Sequence, residues 1–325
     1  MTRSLITGGA GFIGSHLADA LLARGEQVIV VDDESTGNTS NLDSARQQAG
    51  FTYVRGSVAD RGLIRQLLDD VDCVYHLAAA VGVQLIASNP VRTIETNIFP
   101  TELLLRELKL RSDQGQLTKL FLASTSEVYG KNPLPKWTEE DDLVFGPTTR
   151  ARWSYGVSKA VDEFLALAYA REHGLPVVIA RFFNVVGPRQ SGAYGMVLPR
   201  LIDAALVGGP LVVHDDGQQV RCFAHVADVV AAVLALVGTP AALGRVFNVG
   251  SDQAVSILDL AQQVVAAIDS RLTIIFQSYA EAYSADFEDV RSRVPDLGRL
   301  RATIDFRLRY DLQAIIRDVI DSRRG

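Results

Sequence analysis

Ser4-Leu5-Ile6-Thr7-Gly8-Gly9-Ala10-Gly11-Phe12-Ile13-Gly14 begins a pattern that Gln27-Val28-Ile29-Val30-Val31-Asp32-Asp33 completes. Residues 4–7 read as a short apolar strand. Ile13, Leu17, Ala20 and Leu21 then recur at helical spacing until Gly25 stops them. Residues 27–33 read as a buried parallel strand that ends in two carboxylates. The whole is a strand, glycine turn, helix and strand of roughly thirty residues, the context in which a glycine fingerprint is informative. Gly9-x-Gly11-x-x-Gly14, entered from Gly8 and turned through Phe12 and Ile13, supplies three things. They are a tight turn, close backbone approach to a pyrophosphate, and close packing of helix on strand. The helix N-terminus favours the anion. Asp32, about twenty residues on, is placed to accept from the adenosine ribose hydroxyls. A carboxylate there repels a 2′-phosphate, so NAD is expected over NADP.

Working outward, the alternation continues. Residues 51–56 read as a strand and 61–69 as a helix. Residues 73–79 form a buried strand whose end, Leu77, Ala78 and Ala79, is small enough for a cofactor to approach. A long helix is expected over 90–110, with Val91, Ile94, Ile98, Leu104, Leu105 and Leu108 supplying most of its apolar face. Strands follow at 119–124 and 177–184. This is the pattern of an α/β protein with a Rossmann-type, doubly wound parallel sheet. Its ligands should sit at the carboxyl ends of the strands: Gly8–Gly11, Asp32, Ala78–Ala80, Ser124–Glu127 and Asn184. Past Gly187 the character changes. Helices are expected at 196–207, 225–237, 256–268 and 312–322. A strand, turn and second strand span 211–223, and another strand spans 246–250. The expected division is an NAD-binding domain over 1–187 and a smaller α/β substrate-binding lobe over 188–325, with about 225–250 returning to the first domain.

The 325 residues are 48% hydrophobic and 22% charged with a formal net charge of -6, the balance of an ordinary globular protein. No basic excess invites nucleic acid. Cys73 and Cys222 are too few for a disulfide framework and fit a reducing compartment. The chain opens directly on a strand pattern, without a signal segment, and no apolar run is long enough to span a bilayer. A cytoplasmic protein with no membrane partner is expected.

Arg152-Trp153-Ser154-Tyr155-Gly156-Val157-Ser158-Lys159 leads into Ala160-Val161-Asp162-Glu163-Phe164-Leu165. Val161, Phe164, Leu165, Ala168 and Tyr169 share a helical period that predicts one buried face. Tyr155 and Lys159 then lie one turn apart on the same side. An ammonium beside a phenol favours the phenolate and lowers its pKa from about 10, which makes the phenol a usable base. The alternative is a surface Tyr and Lys on an amphipathic helix.

Five stretches in order, GGAGFIGSHL, HLAA, STSEVYG, YGVSK and RFFNVVGPR, resemble the extended short-chain dehydrogenase/reductase family over essentially the whole chain. Within it the chain is similar to the nucleotide-diphosphate-sugar epimerases, dehydratases and decarboxylases. Their shared first step is oxidation of the sugar C4 hydroxyl by NAD. The resemblance implies that Tyr155 takes the C4 hydroxyl proton, that Lys159 lowers its pKa and binds the nicotinamide ribose, and that Thr125 hydrogen-bonds the same hydroxyl. Dehydratases place an Asp beside the Glu of this motif; here that position is Ser126, which cannot serve as an acid. Thr125-Ser126-Glu127 is most similar to the UDP-glucuronate decarboxylases. That likeness implies that Glu127 orients substrate or a water and that Ser126 contacts the carboxylate. The other use of Glu127 is to anchor the following loop. Asn184, Arg221 and Arg293 match diphosphate-binding positions, and guanidinium suits that role. Arg291, Arg299 and Arg301 read as solvated surface.

The implied reaction is decarboxylation of UDP-glucuronate, with a 4-epimerase of UDP-sugars as the alternative. A regulator that binds NAD without chemistry would be expected to lack the Tyr-x-x-x-Lys pair. The family also implies a homodimer formed through helices equivalent to 90–110 and 153–173; apolar faces at Leu104, Leu108, Phe164 and Leu167 permit that and could equally face the core. One departure concerns adenine. The family carries an Asp straight after the glycine of the third strand, whereas this chain has Ser57-Val58, with Asp60 as the nearest substitute. His76, His214 and His225 lack metal-ligand spacing and read as packed or capping residues, so no metal is expected.

Overall fold

Strand order fixes where a ligand can lie. The computed structural model describes residues 2–80, 89–192, 196–282 and 288–324. Its seven-stranded sheet runs Arg245–Val249, Val177–Phe182, Lys119–Thr125, Cys73–His76, Arg3–Thr7, Gln27–Asp32, Phe51–Arg55. Every pairing in it is parallel. Val28, Ile29, Val30 and Val31 are all buried because helices cover both faces, which is why this strand reads as a continuous apolar run. The winding direction reverses between Arg3–Thr7 and Cys73–His76, and the carboxyl ends there open the crevice that doubly wound sheets use for ligands. Gly8 and Gly14 close the first turn. Gly8 has φ +70°, and a Cβ there would lie 2.7 Å from the Ala78 amide nitrogen. A Cβ on Gly14 would lie 2.5 Å from the Gly8 carbonyl oxygen.

Two helices differ from the expectation set by apolar spacing. In Ser154–His173 the buried face carries Tyr155, Ser158, Lys159, Asp162, Glu163 and Ala166. Phe164 of the expected stripe is 69% exposed, and Val161, Leu165, Ala168 and Tyr169 are only half-buried. Pairing allows a polar face to be buried. Asn97 Nδ2 donates to Ser158 Oγ at 2.9 Å, and Lys159 Nζ lies 2.9 Å from Asp162 Oδ2. Arg181 Nη2 lies 2.7 Å from Glu163 Oε2, and the Ser124 hydroxyl donates to the same carboxylate. In Pro90–Asp113, Leu104, Leu105 and Leu108 are buried as expected, but Val91 and Ile94 are exposed. Thr93, Asn97 and Thr101 take the inward positions in that half.

Leu211–His214 and Val220–Cys222 are strands, but they do not pair with each other. The first runs parallel to Ile274–Gln277 and the second antiparallel to Ala254–Ser256. The turn between them is committed elsewhere: the Gly217 and Gln219 carbonyls accept from the Leu258 and Ile257 amides at the start of helix Ile257–Ile268. Arg245–Val249 joins the large sheet beside Val177–Phe182. The Val226–Gly238 helix packs Val229 and Val233 into the same core as Leu17 and Leu21 of helix Phe12–Ala23. Leu198, Ile202, Val213, Leu260, Ile316 and Ile320 gather a separate core.

Arg181→Met leaves Glu163 buried without its guanidinium. Urea unfolding at neutral pH should then show a loss of about 3–5 kcal/mol, the range for breaking one side of a buried ion pair.

Candidate active site

At the carboxyl ends of the strands lies a cleft of about 1220 Å³. Its inner half is lined by Gly8, Gly11, Phe12, Ile13, Gly14, Asp32, Ser57, Val58, Leu77, Ala78 and Ala79. Gly11 is the N-cap of helix Phe12–Ala23, and no side chain caps that end. Its first amides are therefore left for a ligand, which is what an anionic pyrophosphate needs. Asp32 is buried and accepts from the Ala10 amide at 2.9 Å and the Glu34 amide at 2.8 Å. Burial pushes its carboxyl up, and those two amides pull the other way. The residues fit a dinucleotide. Asp60 does not fill the missing adenine contact: its carboxylate caps helix Arg61–Leu67 by accepting from the Leu63 amide at 3.1 Å, and it is outside the cleft lining. Ser57 lines the cleft, and its hydroxyl accepts from the Ala59 amide at 3.2 Å.

Thr125, Ser126, Glu127, Tyr155 and Lys159 line the same cleft, brought together by the end of strand Lys119–Thr125 and the first turn of the Ser154–His173 helix. Thr125 hydrogen-bonds the Tyr155 hydroxyl. Its Oγ1 also accepts from the Glu127 amide at 3.2 Å. The expected acidified phenol is not what the structure shows. Burial pushes Tyr155 well above its ordinary value, the charge on Glu127 pushes the same way, the Thr125 hydrogen bond opposes, and Asp162 adds to the rise. The Lys159 ammonium, which could oppose that rise, is paired with Asp162.

Asn184, Arg221 and Arg293 line the outer half. Asn184 has φ +28°, and its Nδ2 donates to the Cys222 carbonyl at 2.9 Å, which ties the end of the Val177–Phe182 strand to the next segment. Glu127 lies 2.7 Å from Arg152 Nη1 and in contact with Arg293 Nη1. Arg221 Nη2 reaches both oxygens of Asp289, at 3.0 and 2.9 Å, and Arg293 lies 3.7 Å from the same carboxylate. Tyr279 donates to Asp289 at 2.6 Å. Burial pushes the Glu127 carboxyl up, but Arg152 and Arg293 more than offset it and hold it well below the usual range.

Sequence reasoning missed the roles of Arg152, Asp289 and Tyr279. Their partners, Glu127 for Arg152 and Arg221 for Asp289, are distant in sequence, so no local spacing pointed to them. The polar loop 35–41 also lines the cofactor half, through Thr36, Asn38 and Asn41. Arg291, Arg299 and Arg301 lie outside the lining and pair with Asp216, Glu140 and Asp252. His76 is buried between the Thr7 and Thr101 hydroxyls, and burial pushes it down to about 3. His225 caps a helix by accepting from the Ala227 amide. No group of side chains among the described residues could hold a metal ion. Of the loop 192–196, which the sequence leaves unassigned, 193–195 lie outside the described residues.

The profile of the NAD dependent epimerase/dehydratase family matches residues 4–250. A UDP-N-acetyl-alpha-D-glucosaminuronate decarboxylase of Bacillus cytotoxicus is 39% identical over 305 residues, 94% of this chain and 92% of that protein. The UDP-glucuronic acid decarboxylase 1 of Arabidopsis thaliana is 34% identical over 96% of this chain and 67% of its own. Among solved structures, the UDP-glucuronic acid 4-epimerase from Bacillus cereus, in complex with UDP-glucuronic acid and NAD, superposes with a TM-score of 0.88. It is 28% identical, over 99% of both chains.

Glu127→Gln leaves two buried guanidiniums facing a neutral amide. The stability difference from wild type should be about 3–5 kcal/mol at pH 7. Because the folded-state pKa of Glu127 is lowered, its contribution is complete above the unfolded value of about 4.3 and is lost as pH falls below it. Urea titrations of both proteins at a series of pH values should show the gap closing only on the acid side.

Proposed function

This chain belongs to the NAD dependent epimerase/dehydratase family, and on that premise we propose that it decarboxylates a UDP-hexuronate through a 4-keto intermediate. UDP-glucuronate and its 2-acetamido counterpart are the two substrates to try, from the names of the similar proteins. NAD, which Gly8–Gly14 and Asp32 would hold, would serve as hydride acceptor for C4 and afterwards as donor. Tyr155 takes the proton of the C4 hydroxyl, with Thr125 fixing that hydroxyl. The resulting ketone is β to the C6 carboxylate. The C5–C6 bond breaks, carbon dioxide leaves, and the electron pair delocalises onto the C4 oxygen as an enolate. A proton added at C5 and the hydride returned to C4 complete a redox-neutral cycle. Arg221 and Arg293, with Asn184, bind the diphosphate side, and Ser126 contacts the uronate.

The observation that carries the reading is the cluster beside Tyr155. Arg152, Arg221 and Arg293 stand against two carboxylates, Glu127 and Asp289, and that surplus of positive charge suits a substrate carrying a carboxylate as well as a diphosphate. Ser126 offers no acid for dehydration. The 4-epimerase reading is kept because the Bacillus cereus epimerase shares the fold at full coverage. In that case the ketone turns over in the cleft and hydride returns to its other face.

The same reading takes the chain as an NAD-binding part up to about 187 and a substrate lobe beyond, with about 225–250 belonging to the former. It also takes the protein to be a cytoplasmic homodimer. Cys73 and Cys222 are free and buried, which suits a reducing compartment. No helix among the described residues is long and apolar enough to cross a membrane. Ile94 and Phe99 on one long helix, with Phe164 on the next, are exposed apolar side chains suited to a self-complementary contact. Leu104 and Leu108 took the other course open to them and belong to the core.

Incubation with UDP-glucuronate and with its 2-acetamido analogue, followed by mass spectrometry, should give a UDP-pentose and carbon dioxide from one of them; an isomer of unchanged mass would move the assignment to epimerase. Tyr155→Phe should abolish turnover while NAD still binds. Phe164→Glu should shift the protein from dimer to monomer in sedimentation velocity, and an unchanged species would remove this face from the interface.

A further inference from the structure

Lys159 has a partner for which the chemistry above has no use. Its Nζ lies 2.9 Å from Oδ2 of Asp162, and the two side chains are 3% and 0% exposed. Asp162 Oδ1 is buried and has no hydrogen-bond partner among the described residues. A fully buried ion pair is a weak source of stability, because desolvation offsets most of its attraction, and an apolar residue would fill the same helix position. The pair is better explained by what it does to its neighbour.

That neighbour is Tyr155, one turn earlier on the same buried face. An ammonium with a carboxylate 2.9 Å away is a dipole, and its field on a nearby phenol is much weaker than that of a lone cation. The other charges around this face are compensated or absent. Glu127, at the end of the neighbouring strand, is clamped by Arg152 and Arg293. Glu163 is paired with Arg181 and hydrogen-bonded by Ser124. His76 is kept neutral by burial. Lys159, by contrast, is a cation on the same helix face one turn from Tyr155, and its contact is with Asp162. Lysine has three N–H donors in a rotatable head, so ribose hydroxyls arriving in the cleft can draw the ammonium outward without its leaving the site.

We propose that Asp162 is a positioning residue that holds the Lys159 ammonium back from Tyr155 until the ribose of a bound dinucleotide takes it, so that the phenol works as a base only when the cofactor is in place. The proposal rests on the reading of Tyr155 as the base.

The test follows Tyr155 in the cofactor-free protein by NMR of ¹³Cζ-labelled tyrosine, assigned with Tyr155→Phe. In Asp162→Asn its titration midpoint should fall by at least about one pH unit, a tenfold change in the ionisation constant, and Asp162→Glu should restore the wild-type behaviour. Addition of NAD should lower the midpoint in the wild type and change it little in Asp162→Asn. The rising limb of kcat against pH should move to lower pH in Asp162→Asn. An unmoved Tyr155 midpoint in the folded variant overturns the proposal. Should Asp162→Asn not fold, Asp162→Leu, which brings no polar group to bury, carries the same titration with the same two outcomes. Turnover surviving in Tyr155→Phe would instead defeat the reading of Tyr155 as base, while the titration still decides on Asp162.

Discussion

The structure depends on one helix face that ought not, by composition, to be buried. Between Tyr155 and Ala166, Ser154–His173 turns a phenol, a hydroxyl, an ammonium and two carboxylates inward. Each charge there would cost several kcal/mol if left alone. The surrounding elements are accordingly built to meet them. Arg181 comes from the strand beneath and Ser124 from the next one, and Asn97 comes from the neighbouring helix and also binds the Ala80 amide. These partners fix the rotation of the helix against the sheet. That rotation puts Tyr155 beside Thr125 at a strand end, so the structural constraint and the placement of the reacting group are one.

A second constraint joins the sheet to the residues beyond it. Glu127 belongs to the turn after Lys119–Thr125, while Arg221, Asp289 and Arg293 come from the later part of the chain. Their chain of ion pairs runs across the cleft mouth, with Arg152 closing one end. Phosphate and carboxylate oxygens are better bidentate partners for guanidinium than a shared side-chain carboxylate. On the proposed reading, a doubly charged diphosphate would compete for Arg221 and Arg293, and Glu127 and Asp289 would keep both arginines aimed until it did. Pre-pairing lowers the cost of ordering long side chains at the moment of binding.

Legibility in the sequence followed the physics of each feature. The sheet was readable because parallel strands buried on both faces are continuous apolar runs and the glycine turn has a fixed spacing. All the proposed cofactor residues line one cleft for that reason. The helix faces were misread because apolar spacing marks an inward face only where the interior is apolar. Phe164 and Ile94 are exposed, while Asp162 and Asn97 are buried. The strand, turn and strand expected over 211–223 are present, but their partners, Ile274–Gln277 and Ala254–Ser256, are non-local and were not legible. Asp60, the nearest substitute for the missing adenine ligand, is a helix cap, and a carboxylate before a helix is well placed for that.

The state of Tyr155 was the hardest to read. Spacing shows that Lys159 can reach the phenol, but the ammonium has a choice of partners, and Asp162 is three residues away where no phenol-based argument looks. A carboxyl and a phenol compete for the same cation unequally: burial pushes both up, Lys159 pulls Asp162 back down, and a carboxyl ionises at a far lower pH than a phenol to begin with. In the structure the carboxylate holds the ammonium. On the proposed reading, oxidation at C4 needs something that changes the competition, and a dinucleotide lying between Gly11 and Lys159 would supply it.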